Sequence, residues 1–134
     1  SVYEESEHHK IDYRLVLALM KIESNFKHDA VSPKGARGLL QVKPSVAKYI
    51  ADDVGVKWTG HTTLDKPDSN IKIGIHFFSM LLKDFPDINV ALKAYNMGPT
   101  RVRKLPEERI QRKKGFSGLV LSEYKKNSSA FPEP

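Results

Sequence analysis

Apolar residues recur at helical spacing directly after Asp12, a residue type that often caps helix N-termini. The spacing predicts a helix from Asp12 to about Asn25, with apolar side chains on nearly all of its faces. Such a helix is expected to be buried. Glu23 lies at its C-terminal end. The apolar positions are Ile11, Leu15, Ala18, Leu19, Ile22 and Phe26, with Val16, Leu17 and Met20 on the remaining face.

The helical period is lost over residues 27–43, which contain two turn signals, Ser-Pro-Lys-Gly at 32–35 and Arg-Gly at 37–38. They predict an irregular or short-hairpin segment that passes near the end of the first helix. Beyond it, the pattern predicts further helices and a loop at 56–67. The helices are 45–54, with Val46, Tyr49 and Ile50 facing inward and Gly55 as its stop; 68–85, with a stripe of Ile71, Ile75, Phe78, Leu82 and Phe85; 87–96, capped by Asp87 and ended by Gly98; a short helix opened by Pro99; and 119–126.

The predicted fold class is therefore mainly α, with a small irregular or β region after the first helix. A length of 134 residues, with 40% apolar and 28% charged residues, suits one globular domain over 1–134 with a core at about 11–126. We expect the termini to fray, including the polar segment 127–134. Because the chain starts with Ser1 rather than Met, we expect it to be a processed or trimmed piece.

Charge and composition narrow the partners and the chemistry. The net charge of +6 favours an anionic partner, which could be a nucleic acid, an acidic membrane face or an acidic polymer. The absence of cysteine excludes disulfides and thiolate chemistry. Since no run of about 18 apolar residues occurs, no transmembrane segment is predicted. The adjacent His8 and His9 make a poor metal pair and are predicted to lie on the surface.

Glu23 is the first candidate for chemistry. Burial among apolar neighbours raises the pKa of a carboxyl group, and the nearby helix C-terminus acts in the same direction. Such a group suits a general acid at neutral pH. The polar residues Ser32, Gln41, Tyr95 and Asn96 flank glycine-rich turns or helix ends, and amides and hydroxyls of this kind suit a sugar-binding cleft. Each residue alone also has an ordinary structural explanation.

Four sequence blocks, taken together and in order, resemble the soluble, goose-lysozyme-like lytic transglycosylases. They cover most of the chain, within about residues 11–105. Any one block is weak evidence, whereas all four at these spacings are a strong signal. The blocks are Glu23–Phe26, Ser32–Gln41, Asn70–Gly74 and Ala94–Gly98.

The resemblance implies an α+β lysozyme-like fold and a set of site residues. Glu23 matches the single catalytic acid/base, and no metal or organic cofactor is expected. Tyr95 matches a residue that supports the catalytic carboxyl group and the bound N-acetyl group. The residues matched to substrate contact are Ser24, Ser32, Gln41, Tyr95 and Asn96, and Gly35, Gly38 and Gly98 match positions that shape turns.

Three departures from the family pattern stand out. Leu40 replaces a frequent Met, and the segment 76–78 (His-Phe-Phe) replaces a more usual Tyr-Leu pairing. Lys43 occupies a position near the cleft that is often apolar or Met. The resemblance therefore does not predict which part of the substrate lies there. None of these changes removes the acid.

The implied reaction is cleavage of peptidoglycan between N-acetylmuramic acid and N-acetylglucosamine, with formation of a 1,6-anhydro product. Hydrolytic glycosidases usually need two carboxylates, whereas Glu23 alone is singled out here; Asp29 in the following turn is not chosen. One carboxyl group suffices when the attacking hydroxyl belongs to the substrate. The alternatives are a hydrolytic goose-type muramidase, a non-catalytic peptidoglycan-binding module and, from charge alone, a nucleic-acid-binding domain, which lacks a recognisable motif.

The expected partner is the peptidoglycan glycan strand, with no nucleic acid, with cell-envelope proteins as further partners, and with the chain as a monomer. We expect an exported protein of the periplasm or cell envelope whose signal or anchor is removed or lies outside this chain. Peptidoglycan carries carboxylates, so basic side chains could steer it. The candidates are Lys34, Arg37, Lys43, Arg101 and Arg103, while the run 109–114 is interpreted as a solvated face.

Overall fold

A computed structural model describes all residues 1–134 and confirms the predicted mainly α class. Strand pairing is limited to two isolated bridges, Val31 with Arg37 and Arg37 with Val42, in the segment predicted to be irregular. The α-helices are α1 (Val2–His8), α2 (Tyr13–Ser24), α3 (Pro44–Ile50), α4 (Pro67–Asp84), α5 (Ile88–Met97), α6 (Pro99–Arg103), α7 (Glu107–Gln111) and α8 (Gly115–Ala130), with 3₁₀ helices at Ala51–Val54 and His61–Asp65.

Helix α2 is the buried helix that its periodicity predicts. Asp12 caps it by accepting a hydrogen bond from the Arg14 backbone nitrogen at 2.9 Å, and Asn25 ends it in the left-handed conformation. Val16 and Ala18 are fully buried. Helix α8 packs along α2, and α5 packs against α4, α6 and α8. The end of α2 that bears Glu23 is therefore held inside a helical frame.

Helix α5 also forms as predicted, and its ends direct the chain toward the site. The Asp87 carboxylate accepts hydrogen bonds from the backbone nitrogens of Asn89 at 2.8 Å and Val90 at 3.4 Å. Gly98, at φ 95°, ends α5 and lets the chain turn directly into α6. Tyr95 and Asn96 are thereby fixed in the last turn of a buried helix.

Both termini are more structured than the sequence predicts. Residues 1–10 were expected to fray, but Val2–His8 form α1, in which Ser6 is buried. The polar tail was also expected to fray, yet α8 continues to Ala130 and the Asn127 amide donates to the Arg14 carbonyl oxygen at 2.9 Å. Tertiary hydrogen bonds of this kind leave no hydrophobic period in the sequence.

Two finer predictions are wrong. Tyr49 does not face inward, since 83% of it is exposed. Helix α4 begins at Pro67 rather than at the predicted position 68, because proline is well suited to the first helical position. The pattern also did not predict α7 at residues 107–111, whereas the basic residues of the run 109–114 are exposed, as expected. None of the helices is both long enough and apolar enough to cross a membrane.

Candidate active site

The candidate site is a cavity of about 690 Å³ where the C-terminal end of α2 meets residues 32–46 and the α5–α6 corner. This volume lies within the range of about 300–1,000 Å³ that is typical of ligand sites. Glu23 is the only carboxylate that lines it. The other lining residues are Ser32, Pro33, Lys34, Ala36, Gln41, Val42, Lys43, Val46, Phe77, Ala94, Tyr95, Asn96, Met97, Gly98, Pro99 and Arg101.

The Glu23 carboxyl group is poised as an acid. Burial raises the pKa of Glu23 from 4.5 to about 8, because few water molecules can solvate its charged form. No cation lies within ion-pair distance to counteract this effect. Glu23 is therefore mostly protonated at neutral pH while it still faces an open cavity.

Ser24, the next residue, does not line the cavity. Its hydroxyl group is buried, donates to the Leu39 carbonyl oxygen at 2.8 Å and lies 3.2 Å from the Met20 carbonyl oxygen. Ser24 thus ties the end of α2 to the 27–43 segment, and its expected contact with substrate has no place in this geometry. Its resemblance to a family motif is accounted for by this structural role.

Asn70 on α4 fixes the same segment from the other side. Its side-chain oxygen accepts from the Leu40 backbone nitrogen at 2.8 Å, and its amide nitrogen donates to the carbonyl oxygens of Leu64 at 2.8 Å and Arg37 at 3.0 Å. A Cβ at Gly38 would lie 2.2 Å from the Asn70 amide nitrogen, and one at Gly74 would lie 2.6 Å from a Leu40 methyl group. Gly38 and Gly74 therefore have no room for a larger residue.

Tyr95 on α5 also holds the 27–43 segment, and it lies close enough to Glu23 to respond to its charge. Its buried hydroxyl group donates to the Leu40 carbonyl oxygen at 2.5 Å. Its ring packs against Phe77 and Phe78 at centroid distances of 5.3 and 5.9 Å. Burial first, and then the negative charge of a Glu23 carboxylate, raise the pKa of Tyr95 well above its usual value. Tyr95 therefore stays neutral, with its proton committed to Leu40.

Ser32, Gln41 and Asn96 line the cavity as the sequence predicts. The Gln41 amide nitrogen donates to the carbonyl oxygens of Ala30 and Gly38, both at 3.0 Å, and the Ser32 hydroxyl accepts from the Ala36 backbone nitrogen at 3.0 Å. These bonds leave the Gln41 carbonyl oxygen and the Ser32 proton free for a ligand. Asn96 makes no side-chain hydrogen bond and is exposed at the end of α5.

The basic residues divide into two groups. Lys34, Lys43 and Arg101 line the cavity. Arg37 instead forms a two-pronged ion pair with Asp65, at 2.8 and 3.2 Å, and Arg103 lies 5.0 Å over the Phe85 ring. Arg37 and Arg103 therefore do not line the cavity.

Sequence reasoning missed the apolar part of the lining, which includes Val46, Phe77 and Met97. Phe77 belonged to a noted departure from the family pattern, and Met97 lies inside the fourth block, so both carried a usable signal. The structural role of Asn70 could have been suspected because it is a polar residue at the start of an apolar helix. No group of three or more His, Asp or Glu side chains lies where it could hold a metal ion.

Comparison with solved structures defines the class of the fold. The chain superimposes on an inactive mutant of the lytic transglycosylase Slt from Pseudomonas aeruginosa with a TM-score of 0.81 and 26% identity, over 97% of this chain and 24% of that one. It superimposes on the 70-kDa soluble lytic transglycosylase from Escherichia coli with a TM-score of 0.83 and 22% identity, over 96% of this chain and 24% of that one. The fold is thus the helical, lysozyme-like fold of these enzymes' domains.

Sequence comparison identifies the family. The family model described as Transglycosylase SLT domain matches residues 1–116. The chain is 35% identical over 95 residues to membrane-bound lytic murein transglycosylase F from Histophilus somni, over 66% of this chain and 18% of that protein. It is 34% identical over 95 residues to a putative soluble lytic murein transglycosylase from Haemophilus influenzae, over 70% of this chain and 16% of that protein. The chain belongs to the Transglycosylase SLT domain family, and it spans less than a fifth of either relative.

Proposed function

We propose that this domain is a peptidoglycan lytic transglycosylase that cleaves the β-1,4 bond between N-acetylmuramic acid and N-acetylglucosamine. The observation that carries the proposal is the single carboxyl group, Glu23, which lines the cavity and is protonated at neutral pH. Family membership and the names of its relatives support the same reaction. The neutral hydroxyl and amide groups around the acid suit a sugar ligand.

In the first step, protonated Glu23 donates its proton to the glycosidic oxygen as the bond to the muramic C1 breaks. Desolvation keeps Glu23 in its proton-bearing form at neutral pH, so a proton is available when the glycosidic bond breaks. The positive charge that develops on the muramic ring lies beside the new Glu23 carboxylate, which stabilises it. Tyr95 can accept a hydrogen bond from the acetamido N–H, since its own proton is committed to Leu40.

In the second step, Glu23 takes the proton from the muramic C6 hydroxyl, and that oxygen bonds to C1 to close the 1,6-anhydro ring. The reaction balances without water, because the proton that Glu23 donated is replaced by the one it removes. Intramolecular attack has an effective molarity of up to about 10⁵ M or more in favourable geometry. A cavity with one carboxylate therefore suffices.

A hydrolytic muramidase is the nearest alternative. It would need a second carboxylate or a positioned water on the opposite side of the sugar ring. Asp29 and Asp65 do not line the cavity, and Asp65 is paired with Arg37. The geometry therefore favours the anhydro-forming reaction.

The test is mass spectrometry of the soluble products released from purified peptidoglycan by the wild type and by Glu23→Gln. We expect 1,6-anhydromuropeptides from the wild type and none from the variant. Muropeptides with ordinary reducing ends would instead establish a hydrolase, and binding without products from either protein would establish a binding module.

The remaining assignments are parts of the same proposal. We propose that the domain acts in the bacterial cell envelope, in keeping with relatives named as membrane-bound or soluble murein transglycosylases. One contiguous core of 24 buried residues, drawn from α2–α6, α8 and the segments between helices, supports a single domain over 1–134. A monomer suffices for the chemistry, because all residues around the cavity come from one chain.

A further inference from the structure

Three cations surround the cavity and none has an acidic partner. Lys34 lies on the turn at 32–35, Lys43 directly precedes α3, and Arg101 lies on α6. None of them forms an ion pair, whereas Arg37, which lies outside the cavity, does. Three separate elements thus direct uncompensated positive charge to one cavity.

The cavity offers no negative charge in return. Glu23 is the only acidic side chain in its lining, and burial keeps Glu23 neutral at pH 7 by raising its pKa to about 8. A neutral glycan backbone gains little from three cations. The groups on a peptidoglycan strand that would gain are the carboxylates of its stem peptides, since an opposite charge inside a partly enclosed cleft attracts them.

Lys43 has the most restricted position of the three. The backbones of Val42 and Arg37 exchange two hydrogen bonds, at 3.0 and 3.1 Å. On the other side of Lys43, α3 begins at Pro44. The Lys43 backbone is therefore fixed between a bridge and a helix, although its side chain is exposed. Lys34 instead lies at an exposed turn, and Arg101 lies on a helix of five residues.

We infer that Lys34, Lys43 and Arg101 form a cationic subsite that selects glycan strands whose stem peptides bear free carboxylates over strands whose carboxylates are amidated, with Lys43 as the main specificity determinant. The inference rests on the proposed function for the identity of the ligand. It goes further in naming the chemical form of the substrate that the cavity prefers. The side chain at position 43 acts by charge, so an arginine there should replace it.

The test measures binding in a Glu23→Gln background, so that cleavage does not alter the ligand. The probes are soluble tetrasaccharide-peptides with free carboxylates and the same compounds after amidation, and calorimetry gives both Kd values. We expect the free form to bind about tenfold more tightly, because each exposed ion pair contributes about twofold to fivefold. Raising the salt from about 0.1 M to about 1 M should remove most of the preference.

Matched variants separate a local effect from a change in net charge. Lys43→Met should lower the preference about twofold to fivefold, and Lys43→Arg should restore it. Lys48→Met removes the same charge from an exposed position of α3 that does not line the cavity, and it should leave the preference unchanged.

Several results would overturn the inference: equal binding of the two probes, no binding of either, or equal effects of Lys43→Met and Lys48→Met. Because binding is measured without cleavage, a failure of the proposed reaction would be seen only in the product analysis. A protein that binds with the expected preference but releases no anhydro product would refute the reaction and leave the subsite in place.

Discussion

Helix α2 places ionisable side chains in two contrasting regions of the molecule. On the side that faces α8, the Lys21 ammonium contacts the Glu123 carboxylate at 2.6 Å, and this hydrogen bond lowers the pKa of Glu123. On the side that faces the cavity, two residues further along, Glu23 has no charged partner, and burial raises its pKa to about 8. Two carboxyl groups close to one helix therefore have opposite protonation at neutral pH.

The difference shows how the fold keeps an unfavourable group in place. The α2–α8 side is held by ion pairs and charged hydrogen bonds, such as those of Asp12 with Arg14 and Tyr124. The cavity side is held by neutral hydrogen bonds from Asn70 and Tyr95, which fix the backbone without a cation that would ionise the acid. Proteins tolerate such locally unfavourable groups mainly at functional sites.

The largest expected effect comes from Asn70→Ala, which removes the neutral side-chain hydrogen bonds of Asn70 on the cavity side. This change leaves the Leu40 amide and the Leu64 carbonyl group without a partner and removes one of the two hydrogen bonds to the Arg37 carbonyl oxygen. It should lower the free energy of unfolding by about 3–5 kcal/mol. Urea denaturation measures the loss. Ser69→Ala, at the preceding position without a side-chain hydrogen bond, should change stability by less than about 0.5 kcal/mol. A loss below about 1 kcal/mol for Asn70→Ala would show that these neutral hydrogen bonds do not hold the cavity side in place.

Glu23→Gln should stabilise the protein at alkaline pH. A folded-state pKa raised from 4.5 to about 8 means that the stability of the wild type falls as pH rises through this interval. The variant lacks this loss, so its advantage should grow from pH 5 to pH 9 by roughly 2–4 kcal/mol, after allowance for the partial exposure of the group. Thermal and urea unfolding across this pH range give the difference. A constant difference would show that Glu23 titrates normally.

Tyr95→Phe should have a smaller effect on stability and a clear effect on activity. The Leu40 carbonyl oxygen loses its donor, which should cost about 1–2 kcal/mol. Displacement of the segment next to Glu23 should lower the rate at which soluble products form from peptidoglycan by about tenfold or more. Tyr13→Phe is the matched control, because the Tyr13 hydroxyl donates to the Pro132 carbonyl oxygen far from the cavity. Equal rates of product formation by the two variants would show that Tyr95 does not contribute to the proposed reaction.

Glu123→Gln should give the smallest change, with the opposite pH dependence. The lowered pKa of Glu123 means that its contribution is present above about pH 4.5 and is lost as pH falls through the folded-state value. The variant should therefore be slightly less stable than the wild type at pH 7, and this deficit should shrink as the pH falls below 4.5. Glu133→Gln, at the exposed C-terminus, provides the control. A stability deficit that grows toward acid pH would contradict the assignment.

The sequence predicts those parts of the fold that are specified by hydrophobic period and by caps. Helices α2, α5 and α6 are recognisable from Asp12, Asp87 and Pro99 together with the apolar residues that follow them. Helix α1 and the last turn of α8 are not, because tertiary contacts rather than an apolar stripe hold them. Tyr49 was misplaced because an aromatic residue at helical spacing is expected to face the core.

The candidate site is predictable in its chemistry and less so in its structural support. Glu23, Ser32, Gln41, Tyr95 and Asn96 do surround one cavity. The motifs could not separate residues that face a ligand from residues that hold them, so Ser24 was grouped with substrate contacts. The pairing of Arg37 with Asp65 depends on a long-range contact that the sequence alone does not reveal.

Burial at the end of α2 keeps the Glu23 carboxyl group protonated at neutral pH, and the proposed reaction depends on this protonation. Carbon-13 NMR of the glutamate side-chain carboxyl carbons tests it most directly, with Glu23 assigned by comparison with Glu23→Gln. The Glu23 resonance is expected to titrate with a midpoint of about 8. A midpoint near the ordinary value of 4.5 would mean that Glu23 is ionised at neutral pH, and it would contradict its role as the resting acid.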